Sequence, residues 1–193
     1  MQFTSHGDQI RTVFLDRDGV INQKMPEGRY VGTTSDFHVL PGVPQAIGKL
    51  NRSGARVIIV SNQRGIALGL YSDDDVHAIH ESLQRTLAEY GAHVDRFYFC
   101  PHDKNECTCR KPLTGLYAQA VMDDPGVTPG KSVMIGDSLS DIEFGRHAGM
   151  RTIFIEGDSQ NRKPGAESAM RLADFRCPSL ALAVDTLIEQ GLI

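Results

Sequence analysis

The chain has 193 residues, 40% hydrophobic and 23% charged, which excludes a disordered polymer and predicts one soluble globular domain spanning residues 1–193. A formal net charge of −4 argues against nucleic acid as the main partner. No apolar run approaches membrane-spanning length and Met1–Thr12 lacks a secretory core, so a cytoplasmic location without a membrane partner is expected.

In chain order, Thr12–Leu15 is the first apolar run, and it ends in Asp16-Arg17-Asp18-Gly19. This reads as a buried strand opening into a tight polar turn. Alternate strand residues share a side, so Asp16 and Asp18 point together if the extended geometry reaches Asp18. Two carboxylates so close need a cation or a shared proton, which suggests Mg²⁺. Acidic pairs also close ordinary turns, so both readings stand on this segment alone. Val43–Arg52 reads as a helix stopped near Gly54, and Val57–Val60 as a strand covered on both faces. Ser61-Asn62-Gln63-Arg64-Gly65 follows, with a hydroxyl, two amides and a glycine that lets the backbone approach a ligand. The set suits phosphate oxygens, and it suits a plain polar turn as well. Ser72 is the predicted N-cap of a helix running to about Tyr90, with Asp73, Asp74 and Asp75 in its first turn. His77 and His80 share one face of it, read as solvated.

Arg96–Phe99 is the third predicted strand, followed by a cysteine-rich loop over residues 100–109. Cys100, His102, Cys107 and Cys109 supply the four ligands of a closed tetrahedral Zn²⁺ site, which would be structural because no position is left for water. Cys177 lies apart and reads as a packing residue. Arg110 and Lys111 follow the loop at once, where a metal-fixed segment would hold two cations at the sheet edge. Val133–Ile135 precedes Gly136-Asp137-Ser138-Leu139-Ser140-Asp141. There Asp137 is a further metal ligand, while Asp141 is either a ligand through water or the partner of Lys111. Ser138 and Ser140 fit helix capping. A strand at Thr152–Ile155 and helices near Gly115–Met122, Ser140–Ala148 and Ser179–Gln190 complete the pattern. Strands alternating with helices predict an α/β fold, a doubly wound, Rossmann-like parallel sheet with helices on both faces. Every polar constellation then falls at the carboxyl ends of strands, where such sheets bind ligands.

Taken in order, DRDGVIN, SNQ, CRKP and GDSLSD resemble the four motifs of the haloacid dehalogenase (HAD) phosphatases over roughly Val13 to Ile155. That resemblance implies Asp16 as the nucleophile that accepts the phosphoryl group and Asp18 as acid and base. It implies Ser61, Asn62 and Lys111 on the phosphoryl oxygens, and Asp16, Asp18 and Asp137 at a catalytic Mg²⁺. SNQ-x-G and the Cys-x-His…Cys-x-Cys loop before RKP narrow the likeness to the branch holding heptose-bisphosphate phosphatases and histidinol-phosphate phosphatases. Members of that branch lack a large cap domain, and neither Asn22–Pro41 nor Gly91–Arg110 is long enough for one here.

Substrate choice would then rest on Glu27, Gly28, Arg29 and Tyr30, on Gln63 and Arg64, on Arg110, and on Ser138. The sequence departs from the branch where Arg64 replaces a small residue and Ser138 stands in place of a lysine. The arginines favour a substrate with a second phosphate, namely D-glycero-D-manno-heptose 1,7-bisphosphate losing its 7-phosphate. They disfavour the amine of histidinol phosphate, which is kept as the alternative alongside other small phosphomonoesters. An aspartate-phosphorylated receiver domain shares the fold, the acids, Mg²⁺ and a lysine, but not the one-residue spacing of Asp16 and Asp18. A zinc-ribbon binding module would leave three of the four constellations unexplained.

Overall fold

The computed structural model describes residues 9–26, 28–157 and 164–193. Its centre is a six-stranded parallel sheet of β1 (Thr12–Leu15), β2 (Arg56–Asn62), β3 (Arg96–Cys100), β4 (Ser132–Gly136), β5 (Arg151–Ile155) and β6 (Phe175–Cys177). The helices between and after them are α1 (Val43–Arg52), α2 (Asp73–Ala88), α3 (Gly115–Asp123), α4 (Leu139–His147), α5 (Ala166–Leu172) and α6 (Leu180–Glu189). Strand order is β3-β2-β1-β4-β5-β6, so the direction of winding reverses between β1 and β4. A crevice outside the carboxyl ends forms at such a reversal. The predicted doubly wound sheet is what the chain adopts.

Period-two alternation divides the strand residues between two layers. Val13, Leu15, Val57, Ile59, Val133, Ile135, Ile153 and Ile155 pack on one face with residues of α1, α2 and α6. Phe14, Ile58, Val60 and Met134 face the other layer, with Leu116 and Ala120 of α3 and Phe144 of α4. Leu15 is in register with Ile59 on one side and Ile135 on the other, and the flanking strands run past it, β4 to Gly136 and β2 to Asn62. That alignment is what delivers Asp16, Ser61 and Asp137 to one edge.

Helix starts follow the predicted chemistry. Ser72 caps α2 by accepting from the Asp75 amide, and the Asp75 carboxylate accepts in return from the Ser72 amide at 2.8 Å. These contacts hold the Asp75 carboxyl below the usual carboxylate range.

Several expectations need correction. β2 continues to Asn62 and β3 to Cys100, so Ser61 and Asn62 close a strand and do not open a turn. α5 and β6 were not expected; seven and three residues are too few to display a period against their neighbours. Cys177 does pack in the core, as expected. His80, by contrast, is not solvated: it is 5% exposed and stacks on Phe97 at 4.3 Å between ring centroids. It sits on the buried stripe Val76-Ile79-His80-Leu83-Leu87. Among the described residues no helix is long and apolar enough to cross a membrane.

Candidate active site

Asp16 lies one residue beyond β1, where its amide donates to the Ile135 carbonyl at 3.0 Å and its side chain is nearly buried. The chain then folds back at once: the amides of Ile21 and Asn22 both donate to the Arg17 carbonyl. Gly19 makes this turn possible. Its φ is +101°, and a Cβ there would stand 2.2 Å from Asp137 Oδ2. Any side chain would displace the acid that closes the site.

Lys111 is the buried cation between Asp16 and Asp141. Its ammonium is 2.8 Å from Asp16 Oδ1, 2.6 Å from Asp141 Oδ1 and donates to the Val60 carbonyl at 2.7 Å. Burial works against its charge, but the carboxylates of Asp141 and Asp16 outweigh that, and its pKa stands above the ordinary lysine value. The other oxygen of Asp141 accepts from the Ser138 amide at 3.0 Å and from its hydroxyl at 2.5 Å. One carboxylate therefore caps α4 and holds the lysine. Asn62 fixes the Lys111 backbone from the opposite side, donating to its carbonyl and accepting from its amide, both at 3.0 Å.

The carboxylates that converge are Asp16, Asp137 and Asp141, with ligand oxygens within 4.8 Å of one another. An all-oxygen, buried acidic set is the donor chemistry of a hard divalent cation. Lys24 reaches the same cluster, donating to Asp137 Oδ2 at 3.1 Å. Asp18 was expected to point with Asp16, and its carboxylate does not join this set. The strand stops at Leu15, and the Asp18 carboxylate instead accepts from Arg17 Nη2 at 3.0 and 3.1 Å, Asn22 Nδ2 at 2.9 Å and Gln63 Nε2 at 3.4 Å. Gln63 is itself oriented by Tyr71, whose hydroxyl donates to its Oε1 at 2.8 Å. Burial raises the Tyr71 hydroxyl to about 12, so it remains a donor at neutral pH. Gly65 was expected to admit a ligand; it admits the Tyr71 ring, which a Cβ would meet at 2.0 Å.

Cys100, His102, Cys107 and Cys109 come together as expected, with ligand atoms within 4.8 Å of one another. Cys100 Sγ is 3.5 Å from Cys107 Sγ and 3.7 Å from His102 Nδ1, and Cys109 Sγ is 3.4 Å from each of the same two atoms. A tetrahedron on zinc–sulfur bonds of about 2.3 Å has edges of about 3.8 Å, so the donors fit that ion.

The remaining predicted residues divide. Arg29, Tyr30, Gln63, Arg64, Arg110 and Ser138 line a pocket of about 540 Å³ above Asp16 and Lys111. Such a volume accommodates a small phosphorylated sugar. Gly28 lines a neighbouring groove instead, and Glu27 lies outside the described residues. The Ser138 hydroxyl is turned onto Asp141 and Ser140, so it serves α4 before any substrate. Ser61 is 1% exposed and accepts from Gln63 at 3.1 Å. Arg64 is already paired: Asp103 of the cysteine-rich loop takes its Nε at 2.5 Å and Nη2 at 3.1 Å. The sequence reading missed Arg17, Lys24, Tyr71 and Asp103. Strand alternation placed Arg17 away from the acids, whereas its long side chain folds back, fully buried, onto Asp18. Lys24, Tyr71 and Asp103 carry no spacing signal, since each reaches the site from a loop.

Residues 108–183 match the family model described as HAD-hydrolase-like. The chain is 43% identical over 133 residues to the D-glycero-alpha-D-manno-heptose-1,7-bisphosphate 7-phosphatase of Mycobacterium bovis, covering 68% of this chain and 70% of that one. It is 32% identical to the corresponding beta-anomer enzyme of Bordetella bronchiseptica, covering 94% of this chain and 100% of the relative. The crystal structure of the D,D-heptose 1,7-bisphosphate phosphatase from B. bronchiseptica, complexed with magnesium and phosphate, superposes with a TM-score of 0.82 at 29% identity, over 94% of this chain and 99% of that one. With the strand order, the buried Lys111–Asp16–Asp141 constellation and relatives matched over this much of their length, the chain belongs to the D-glycero-D-manno-heptose-1,7-bisphosphate 7-phosphatase family of HAD phosphatases.

Proposed function

We propose that the chain removes the 7-phosphate of D-glycero-D-manno-heptose 1,7-bisphosphate in the cytoplasm, working as a single domain. The observation that carries the substrate class is the charge of the pocket mouth. Arg29, Lys104 and Arg110 line it, with Arg64 already paired to Asp103, against Glu143 as its outer acid among the described residues. A mouth of that sign attracts a second phosphate and repels an amine. Relatives bearing the heptose-bisphosphate name support the same choice.

In this reading one Asp16 oxygen attacks phosphorus, the ester bond to the sugar oxygen breaks, and a phosphoryl group rests on Asp16. Asp18, held by Arg17, Asn22 and Gln63, gives the leaving oxygen its proton and then takes one from the water that frees phosphate. Lys111 balances charge on the phosphoryl oxygens, while Asp141 keeps its ammonium in place. Asp16 and Asp137 would hold Mg²⁺, which supplies charge neutralisation when bound. Asp141 stands within the same cluster and serves Lys111 first. Zn²⁺ at Cys100, His102, Cys107 and Cys109 would fix the loop that ends in Arg110. A phosphate-release screen of both heptose bisphosphate anomers, histidinol phosphate and simple sugar phosphates tests the reading. The expected leader in kcat/KM is a heptose bisphosphate; a lead for histidinol phosphate would overturn it.

A further inference from the structure

Arg64 and Asp103 belong to different loops, one leaving β2 and the other within the cysteine cluster, yet they meet in a side-on, two-bond pair. Paired arginine–carboxylate bonds fix direction as well as distance. Arg64 lines the pocket and Asp103 does not, so the acid backs the guanidinium from outside. Asp103 is in turn tied to its own loop: Oδ1 accepts from the Lys104 amide at 2.6 Å, and its amide donates to Glu106 at 3.1 Å. The arrangement differs from that of the other mouth cations. Among the described residues Arg110 donates to the His102 carbonyl at 3.5 Å and forms no salt bridge, although its charge is felt by Asp103.

We propose that Asp103 is a positioning residue for substrate choice: from the cysteine-rich loop it grips Arg64 and sets that guanidinium's remaining N–H groups toward the non-reacting part of the substrate. This rests on the phosphatase reading above and deepens it. Because Asp103 already balances the charge of Arg64, the arginine serves sugar hydroxyls, and Arg110 is left to serve a second phosphate. The same contact transmits the order of the metal loop to the opposite wall of the pocket. A residue from the sequence between two metal ligands thereby sets specificity without touching substrate.

A double-mutant cycle tests this, run on whichever ester of the screen wild type turns over best. A wrong substrate assignment then leaves the pair still under test. Asp103→Asn keeps Oδ1 for the Lys104 amide while removing the charge and the second oxygen. It should raise KM by about two- to fivefold, the range for a partly exposed ion pair, with the loss on KM rather than kcat. Arg64→Ala should cost a similar factor, and the double variant should be no worse than Arg64→Ala alone. Asp103→Glu should recover part of the loss. Metal content by elemental analysis accompanies each variant. Additive losses would overturn the proposal, as would a fall in kcat with lost metal, which would make Asp103 a prop of its own loop.

Discussion

Asp16 and Lys111 illustrate how little exposed charge the site needs once burial is used. Lys111 is 3% exposed and neutralises Asp16 at the end of β1 and Asp141 in the first turn of α4. Removing one partner of such a group leaves uncompensated buried charge, at a cost of about 3–5 kcal/mol. Lys111→Met should therefore lower stability by that order, seen in chemical denaturation, and reduce phosphate release by about a thousandfold or more. Asp16→Asn should keep the fold and lose turnover by about the same factor, because a carboxamide is a poor nucleophile. Phosphate release near the wild-type rate in Asp16→Asn would remove it from the reaction. Asp18→Asn keeps the shape of the carboxylate but presents an NH₂ to at least one of the donors Arg17, Asn22 and Gln63. It should be nearly inactive on an ester with a poor leaving group and less impaired on p-nitrophenyl phosphate, whose phenolate leaves without a proton. Equal losses on both esters would mean that Asp18 does not handle the leaving-group proton. The proposed roles come from the resemblance of DRDGVIN and CRKP to the phosphatase motifs, and the position of Asp16 from its place directly after β1. The direction of the Asp18 side chain was not legible in the sequence, since it depends on a turn at Gly19 and on donors 4 and 45 residues away.

At the scale of elements, the sheet was legible and its shortest members were not. Largely apolar runs of three to four residues with β-branched content marked β1, β2, β4 and β5, and the capping serines marked α2 and α4. β6 spans three residues, is paired on one side with β5, and gains its identity from that neighbour. The cysteine-rich loop is the opposite case, with little secondary structure but a ligand spacing readable at once. Its shape leans on α3, since a Cβ at Gly115 would meet the Thr108 carbonyl at 2.5 Å. Elemental analysis should find about one zinc per chain. Stripping it with a strong chelator, then removing the chelator and assaying with Mg²⁺ restored, should leave the sheet intact by circular dichroism, loosen the loop to protease, and raise KM more than it lowers kcat. Free titration of Cys100, Cys107 and Cys109 in the untreated protein, with no zinc, would overturn the assignment. The couplings between loops, Arg64 with Asp103 and Asn62 with Lys111, were illegible because they join residues 39 and 49 apart on the chain without any periodic signal.

Over the whole molecule, the active edge and the core at β3 make opposite demands on charge, and pH separates them. His80 is pressed between α2 and the aromatic residues of β3, with Nε2 buried and lacking a hydrogen-bond partner. Burial, then the nearby charge of Arg17 and the ring of His77, push it from 6.5 down to about 3. The unfolded chain takes up a proton near pH 6.5 that the folded chain refuses until about pH 3. The unfolded state therefore binds more protons within that window, and stability falls as pH is lowered through it. The limiting slope for one such group is about 1.4 kcal/mol per pH unit. His80→Phe preserves the stacking on Phe97 and removes the titrating nitrogen. Its unfolding free energy should exceed that of wild type progressively as pH drops from 6.5 toward 4, with little difference at pH 8. Denaturant titrations at pH 4.5, 5.5, 6.5 and 8 (about one pH unit apart, the interval over which the slope is read) measure this directly. Parallel curves for the two proteins would mean that His80 accepts its proton in the folded state near the ordinary histidine value.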